Sequence, residues 1–228
     1  MTLSKLDLAP GDHFAEVGSC TGAVTIEAAR RAGRVTALER KPTRAETTVQ
    51  NLAANGLELR TDPVTRAATD GGGREAGTGT GGQADVEVRV AEAPEGLPED
   101  ADALFLGGSR NYEAVLDHAV ETGVDRVVMN VSRLEVAGAA TAAFRERDLL
   151  QEVVQFQVSH GYELAGATSF NSDNPVYMLV GGTHAVAADG GERTSGSRTA
   201  RRDASRDVRA TERREQTSSE RCSDRRQR

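Results

Sequence analysis

The chain has 228 residues, 37% of them apolar and 4% aromatic with no Trp, and a net charge of −7; this suits one domain of ordinary size whose core is built from Val, Leu and Ala rather than rings. The charge is uneven, because residues 189–228 carry 12 Arg against 8 acids and leave −11 on what precedes them, a balance that argues against a nucleic-acid partner for the folded part. Cys20 and Cys222 form no disulfide framework, which fits a reducing cytoplasm, and no apolar run approaches the roughly 20 residues that cross a bilayer.

Met1 to Leu8 reads as the end of a helix closed by Pro10 and Gly11. Phe14, Ala15 and Val17 lead as a strand into the turn Gly18-Ser19-Cys20-Thr21-Gly22, and Val24, Ile26, Ala28 and Ala29 follow in a helix. Arg34 to Glu39 reads as a second strand and Thr43 to Asn55 as a second helix ending near Gly56. Residues 60–83, with seven glycines among Thr, Asp and Arg, read as a flexible surface insertion. The pattern resumes with a strand from Val86 to Val90, the turn Ala91-Glu92-Ala93-Pro94, and a strand from Ala103 to Leu106 running into Gly107-Gly108-Ser109. Tyr112 to Thr122 is then a helix and Arg126 to Val131 a strand.

Ala139 to about Ser159 reads as one long helix with Phe144, Leu149, Val153, Phe156 and Val158 as apolar content. Gly161 ends it, with His160 as a helix-end residue rather than a proton donor. Tyr162 to Thr168 and Val176 to Val180 are two strands with no helix between them, which suits an antiparallel pair at a sheet edge. The domain spans residues 1–184. Residues 185–228, rich in Arg and Ser, lack the apolar surface to order themselves and read as a disordered tail.

A strand, a glycine turn and a helix make a seat for an anionic or nucleotide-like ligand, because glycine admits positive φ and close approach while the helix start offers unpaired N–H groups. In a doubly wound sheet the ligand lies at the carboxyl ends of the strands. There Gly18 to Gly22 follow the first strand, Glu39 ends the second with a carboxylate suited to two ribose hydroxyls, and Glu92-Ala93 end the third, placed to meet an adenine edge. Together they describe an adenosine site. The turn is Gly-x-x-x-Gly rather than the Gly-x-Gly-x-x-Gly of dinucleotide enzymes, and the antiparallel ending points the same way. The fold class is therefore α/β, a Rossmann-like S-adenosylmethionine-dependent methyltransferase fold with a mostly parallel sheet and an antiparallel edge strand. No metal site is expected. The scarcity of lysine, only Lys5 and Lys41, with acids spread over the chain, suits a surface kept soluble in high salt as well as it suits a GC-rich genome.

Glu16-Val17-Gly18-Ser19-Cys20-Thr21-Gly22 with Thr25 to Ala29, Glu92-Ala93-Pro94-Glu95, Phe105-Leu106-Gly107-Gly108-Ser109, Leu134-Glu135 and Asn174-Pro175-Val176-Tyr177 together resemble the decarboxylating cobalt-precorrin carbon-15 methyltransferases of anaerobic cobalamin biosynthesis. The resemblance covers Met1 to about Gly182 apart from the insertion. It implies transfer of the S-adenosylmethionine methyl to carbon 15 of a cobalt-precorrin, loss of the carbon-12 acetate carboxyl as carbon dioxide, and a homotetramer. Carried over by position, Gly18, Ser19, Cys20, Thr21 and Gly22 match the methionine and ribose loop, Glu39 the ribose acid, and Glu92 and Ala93 the adenine side. A polycarboxylate substrate calls for cations near the cleft, and Arg110 and Arg133, with Gly108 and Ser109, are the best placed. Members also carry a further N-terminal stretch with a Thr-Lys helix start over the cofactor, so part of that lid is expected to be missing here, with Thr2 nearest to its threonine. The competing readings are an RNA or protein methyltransferase of the same fold and a truncated, binding-only homologue.

Overall fold

The structure, a computed structural model, describes residues 1–59, 84–108 and 110–183. The insertion at 60–83, Ser109 and the tail at 185–228, including Cys222, lie outside the described residues.

A short helix α1 (Thr2–Leu6) precedes β1 (His13–Val17), α2 (Ala23–Ala29), β2 (Arg34–Leu38), α3 (Pro42–Ala54) and β3 (Asp85–Arg89). The second half holds β4 (Ala103–Leu106), α4 (Tyr112–Thr122), β5 (Arg126–Val131) and α5 (Leu134–Glu146). It is followed by β6 (Leu150–Phe156), β7 (Ser159–Leu164), β8 (Ala167–Ser172) and β9 (Val176–Gly181). Seven strands form one sheet in the order β3-β2-β1-β4-β5-β9-β6. β1 to β5 pair in parallel, and β9 runs antiparallel to both β5 and β6. This is the expected mostly parallel α/β fold, with the antiparallel strand standing one place inside an outermost β6.

Helices cover both faces, so the central strands are buried on each side and read as near-continuous apolar runs. The four residues of β4, Ala-Leu-Phe-Leu, are all buried. Alternate side chains feed two cores. Ala15, Leu104, Leu106 and Met129 pack with Val115, Leu116 and Phe144, whereas Phe14, Phe105 and Val128 pack with Leu6, Ile26 and Leu52. Burying a Leu or Phe side chain contributes roughly 1.5–3 kcal/mol, and only two of the core residues, Phe14 and Phe144, are aromatic side chains that are also fully enclosed.

The long helix expected over 139–159 is not formed. α5 stops at Glu146, and Asp148 takes a φ of 53°, a left-handed conformation that a helix cannot continue through. The chain then extends into β6, where β-branched Val153 and Val154 and the ring of Phe156 suit a pleated surface, and six of its residues gain partners on β9 that a lone helix could not supply. His160 and Gly161 accordingly sit on β7 and not at a helix end. The strand expected over Tyr162–Thr168 is instead a hairpin, β7–β8, whose register from Ser159↔Ser172 to Leu164↔Ala167 closes through Ala165 and Gly166. Both turn residues have positive φ, 53° and 76°, the requirement of a two-residue turn that follows strand twist. The partner of Val176–Gly181 is thus β5 and β6 rather than the segment preceding it.

The hairpin is an arm. Its two strands pair only with each other among the described residues, and Tyr162, Leu164 and Phe170 are exposed at 47%, 56% and 67%.

Candidate functional site

The strand order reverses between β1 and β4, one leading toward β2 and the other toward β5. Their carboxyl ends part there, and a ligand can enter the crevice. A cleft of about 380 Å³ opens at this place, lined among others by Glu16, Gly18, Ser19, Thr21, Phe105, Gly107, Asn130, Ser132 and Val176.

Its floor is the glycine turn. Gly18 (φ 84°) has no atom within 4 Å of where a Cβ would stand, so the cradle is open on that side, and Gly22 (φ 79°) caps α2 with its would-be Cβ only 2.9 Å from Thr48 Cγ2. The turn is fixed from outside. The Gly18 and Ser19 amides donate to Leu38 O at 2.8 and 3.1 Å, Ser19 Oγ lies 3.0 Å from Thr48 Oγ1, Thr48 Oγ1 donates to Cys20 O at 3.1 Å, and Asn51 Nδ2 donates to Thr21 O at 2.8 Å. Two residues of α3 therefore hold a turn nearly thirty positions earlier, and the turn is formed before any ligand arrives.

Glu39 sits just past β2 with 5% of its surface exposed. One carboxylate oxygen accepts the Cys20 amide at 3.2 Å and the other the Lys41 amide at 2.9 Å. Each oxygen keeps a second acceptor position, which is what a pair of ribose hydroxyls requires. Glu92 and the buried Ala93 follow β3. Asn111 Nδ2 donates to Glu92 Oε1 at 3.4 Å and to Ala93 O at 3.3 Å, and Arg110 Nε lies 3.6 Å from the same Glu92 oxygen.

The cleft thus gathers Gly18, Ser19 and Thr21 with Gly107, the residue before Gly108. Cys20, Glu39, Glu92 and Ala93 stand at neighbouring strand ends outside its lining. Arg133 is exposed, one residue beyond the cleft-lining Ser132, as the cap of α5, and Arg110, 64% exposed, faces Glu92. Neither guanidinium lines the cleft. Among the described residues no group of three His, Cys, Asp or Glu side chains is arranged to hold a metal ion.

Three cleft residues carry no role in the sequence reading. Glu16 is 2% exposed and accepts the Thr25 hydroxyl at 2.5 Å. Burial pushes its carboxyl up to about 7, partly opposed by hydrogen bonds from Thr25, so near neutral pH it holds its proton about half the time. Asn130 and Ser132 close β5, and Asn130 Nδ2 donates to Thr2 Oγ1 at 3.0 Å. Their position at the carboxyl end of a central strand was the available signal; the contact to Thr2, 128 positions away, was not.

A scan against protein-family models finds no match. Among curated proteins, a probable cobalt-precorrin-6B C(15)-methyltransferase (decarboxylating) of Halobacterium salinarum is 70% identical over 178 residues, covering 78% of this chain and 82% of that protein. A protein of the same description from Methanosarcina acetivorans is 33% identical over 186 residues, covering 79% and 88%. Among solved structures, a precorrin-6y C5,15-methyltransferase from Geobacter metallireducens superposes with a TM-score of 0.59 at 27% identity, covering 79% of this chain and 86% of that one.

Proposed function

This chain belongs to the cobalt-precorrin-6B C(15)-methyltransferase (decarboxylating) family, and on that premise we propose that it methylates carbon 15 of a cobalt-precorrin, using S-adenosylmethionine, while the carbon-12 acetate carboxyl leaves as carbon dioxide. The observation that carries the reading to its own residues is the preformed Gly18–Gly22 turn at the switch point, open above Gly18 and backed by the buried carboxylate of Glu39.

The sulfonium of the bound cofactor supplies an already electrophilic methyl group, so the protein's work is placement. Gly18 to Gly22, with Ser19, Cys20 and Thr21 between them, seat the methionine and ribose portions. Glu39 accepts the ribose hydroxyls, and Glu92 and Ala93 border the adenine. Gly107 and Gly108 leave the far wall low enough for a macrocycle to lie over the cleft; Ser109, which the resemblance gives as a substrate contact, lies outside the described residues. Arg110 and Arg133 offer guanidinium groups to the carboxylates of a substrate that the −11 domain would otherwise repel. The catalytic unit is residues 1–184, and a cytoplasmic setting suits its chemistry; among the described residues no helix is long and apolar enough to cross a membrane.

The protein acts as a homo-oligomer joined through the β7–β8 arm. A two-stranded hairpin is marginally stable alone in water, and this one exposes Tyr162, Leu164 and Phe170 while carrying only Glu163 and Asp173 as charges between Gln157 and Pro175. An acidic chain can meet its own copy most easily there. Sedimentation of a Leu164→Asp, Phe170→Asp variant should show a smaller species than the parent, and identical sedimentation removes the arm from the interface.

The reaction is tested by incubating the protein with cobalt-precorrin-6B and methyl-labelled S-adenosylmethionine under anaerobic conditions. A product that gains one labelled methyl and loses carbon dioxide is expected. Recovery of unchanged substrate, with the cofactor shown to bind, refutes the assignment.

A further inference from the structure

Asn111 begins α4 as its cap residue, and asparagine in that position ordinarily turns its side-chain oxygen onto the helix's own free amides. Here it does not. No side-chain capping bond is made, although Asn111 O accepts the Val115 amide at 3.1 Å as the first turn requires. The backbone sits at φ 52°, ψ 22°, a left-handed conformation that, after glycine, asparagine and aspartate adopt most readily. The amide points away from the helix and gives its hydrogens to Glu92 Oε1 and Ala93 O, at 3.4 and 3.3 Å. The forgone cap needs a reason, and the contact to Glu92 and Ala93 is what takes its place.

Those two acceptors lie past the end of β3, whereas Asn111 lies past the end of β4, and between β3 and β4 in the sheet stand β2 and β1. The bond therefore spans the ligand-bearing rim from one side of the glycine turn to the other. We infer that Asn111 is a positioning residue that ties the adenine-side loop at Glu92-Ala93 to the acceptor-side loop that begins at Gly107, so that occupancy of one side sets the geometry of the other. The inference rests on the functional reading above. It gives the substrates a mutual dependence: cofactor seated against Ala93 fixes the start of α4, and with it the wall against which the macrocycle lies. Arg110, beside Glu92 at 3.6 Å, is held by the same tie at the edge that a substrate carboxylate would meet.

Two variants separate the donor from the backbone. Asn111→Gly keeps the left-handed conformation and removes the amide, while Asn111→Asp keeps shape and backbone preference but offers only acceptors to two acceptors. The affinity of the cobalt-precorrin is measured by titration with and without saturating S-adenosylhomocysteine, alongside kcat and the KM of each substrate. In the parent, S-adenosylhomocysteine should change the corrinoid affinity by a factor of about 5 or more. In both variants that factor should fall toward one, and kcat should drop about tenfold from lost placement, with the melting temperature near that of the parent. Variants that retain the parental coupling factor overturn the tether, and so does Asn111→Asp behaving as the parent while Asn111→Gly does not. A parent that binds both ligands without coupling also overturns it and leaves the functional reading standing. A parent that fails to bind S-adenosylhomocysteine at all overturns the functional reading first, and the tether with it.

Discussion

Glu16 places a titrating carboxyl inside the fold, and replacing it with glutamine should change how stability depends on pH. Its carboxyl is raised from the ordinary 4.5 to about 7, with burial the largest cause. Between those values the unfolded chain has released the proton while the folded chain keeps it, so the folded state binds more protons and stability falls as pH rises. At 1.36 kcal/mol per pH unit, the two and a half units amount to about 3 kcal/mol, fully expressed above pH 7 and absent below pH 4.5. Glutamine preserves shape and an acceptor for the Thr25 hydroxyl but carries no proton to lose. Urea unfolding of the ligand-free parent and of Glu16→Gln, at fixed salt across pH 4.5 to 8, should show the variant gaining about 3 kcal/mol relative to the parent as pH rises. A difference that stays constant over this range would show that Glu16 ionises normally, and would refute its enclosure between β1 and α2.

His13 should give the opposite slope. Its imidazole is lowered to about 4 by burial and by the Arg34 charge, against the pull of Asp100, while Nε2 meets Thr36 Oγ1 at 2.8 Å and Nδ1 meets Asp100 Oδ1 at 3.0 Å. The unfolded chain binds the extra proton between pH 4 and 6.5, so about 3 kcal/mol of stability present above pH 6.5 is lost as pH falls toward 4. The stability difference between His13→Gln and the parent, followed by urea unfolding, should shift by that amount across the window; a flat difference contradicts the buried neutral ring. Glu39→Ala should weaken S-adenosylhomocysteine binding by about 1.5–3 kcal/mol in a calorimetric titration, and an unchanged affinity removes Glu39 from the cofactor site.

Much of the architecture was legible because local preference and final environment agree. α4 and β5 occupy the residues read from periodicity, since Gly123 supplies the left-handed stop after Thr122. The β6 region was misread for a physical reason. Leu149, Val153 and Phe156 fall at helical spacing, and what converts them to strand is a positive φ at Asp148 together with pairing to β9, which lies over twenty residues later. At the site, the glycine turn was visible because its constraint is local. Glu16 stood in the same motif, but its enclosure depends on Thr25 from the following helix. Asn111 has no role in the sequence reading, and only the distant acceptors at Glu92 and Ala93 distinguish it from an ordinary residue before a helix.

The position of β9 also bears on how the molecule comes into being. The last strand of the sheet is inserted between two that are synthesised earlier, and its first residue, Val176, is a wall of the cleft. Until it emerges from the ribosome, β5 presents an unpaired edge and β6 has no neighbour in the sheet, so the nascent chain carries exposed pairing surface from Val131 until Val176 and the residues after it are made. Sheet closure and completion of the cleft become one event, late and dependent on contacts distant in sequence. A chain released before residue 176 would hold the whole Gly18–Gly22 loop yet offer open strand edges to its neighbours, which makes premature termination a route to aggregation rather than to a partly active enzyme.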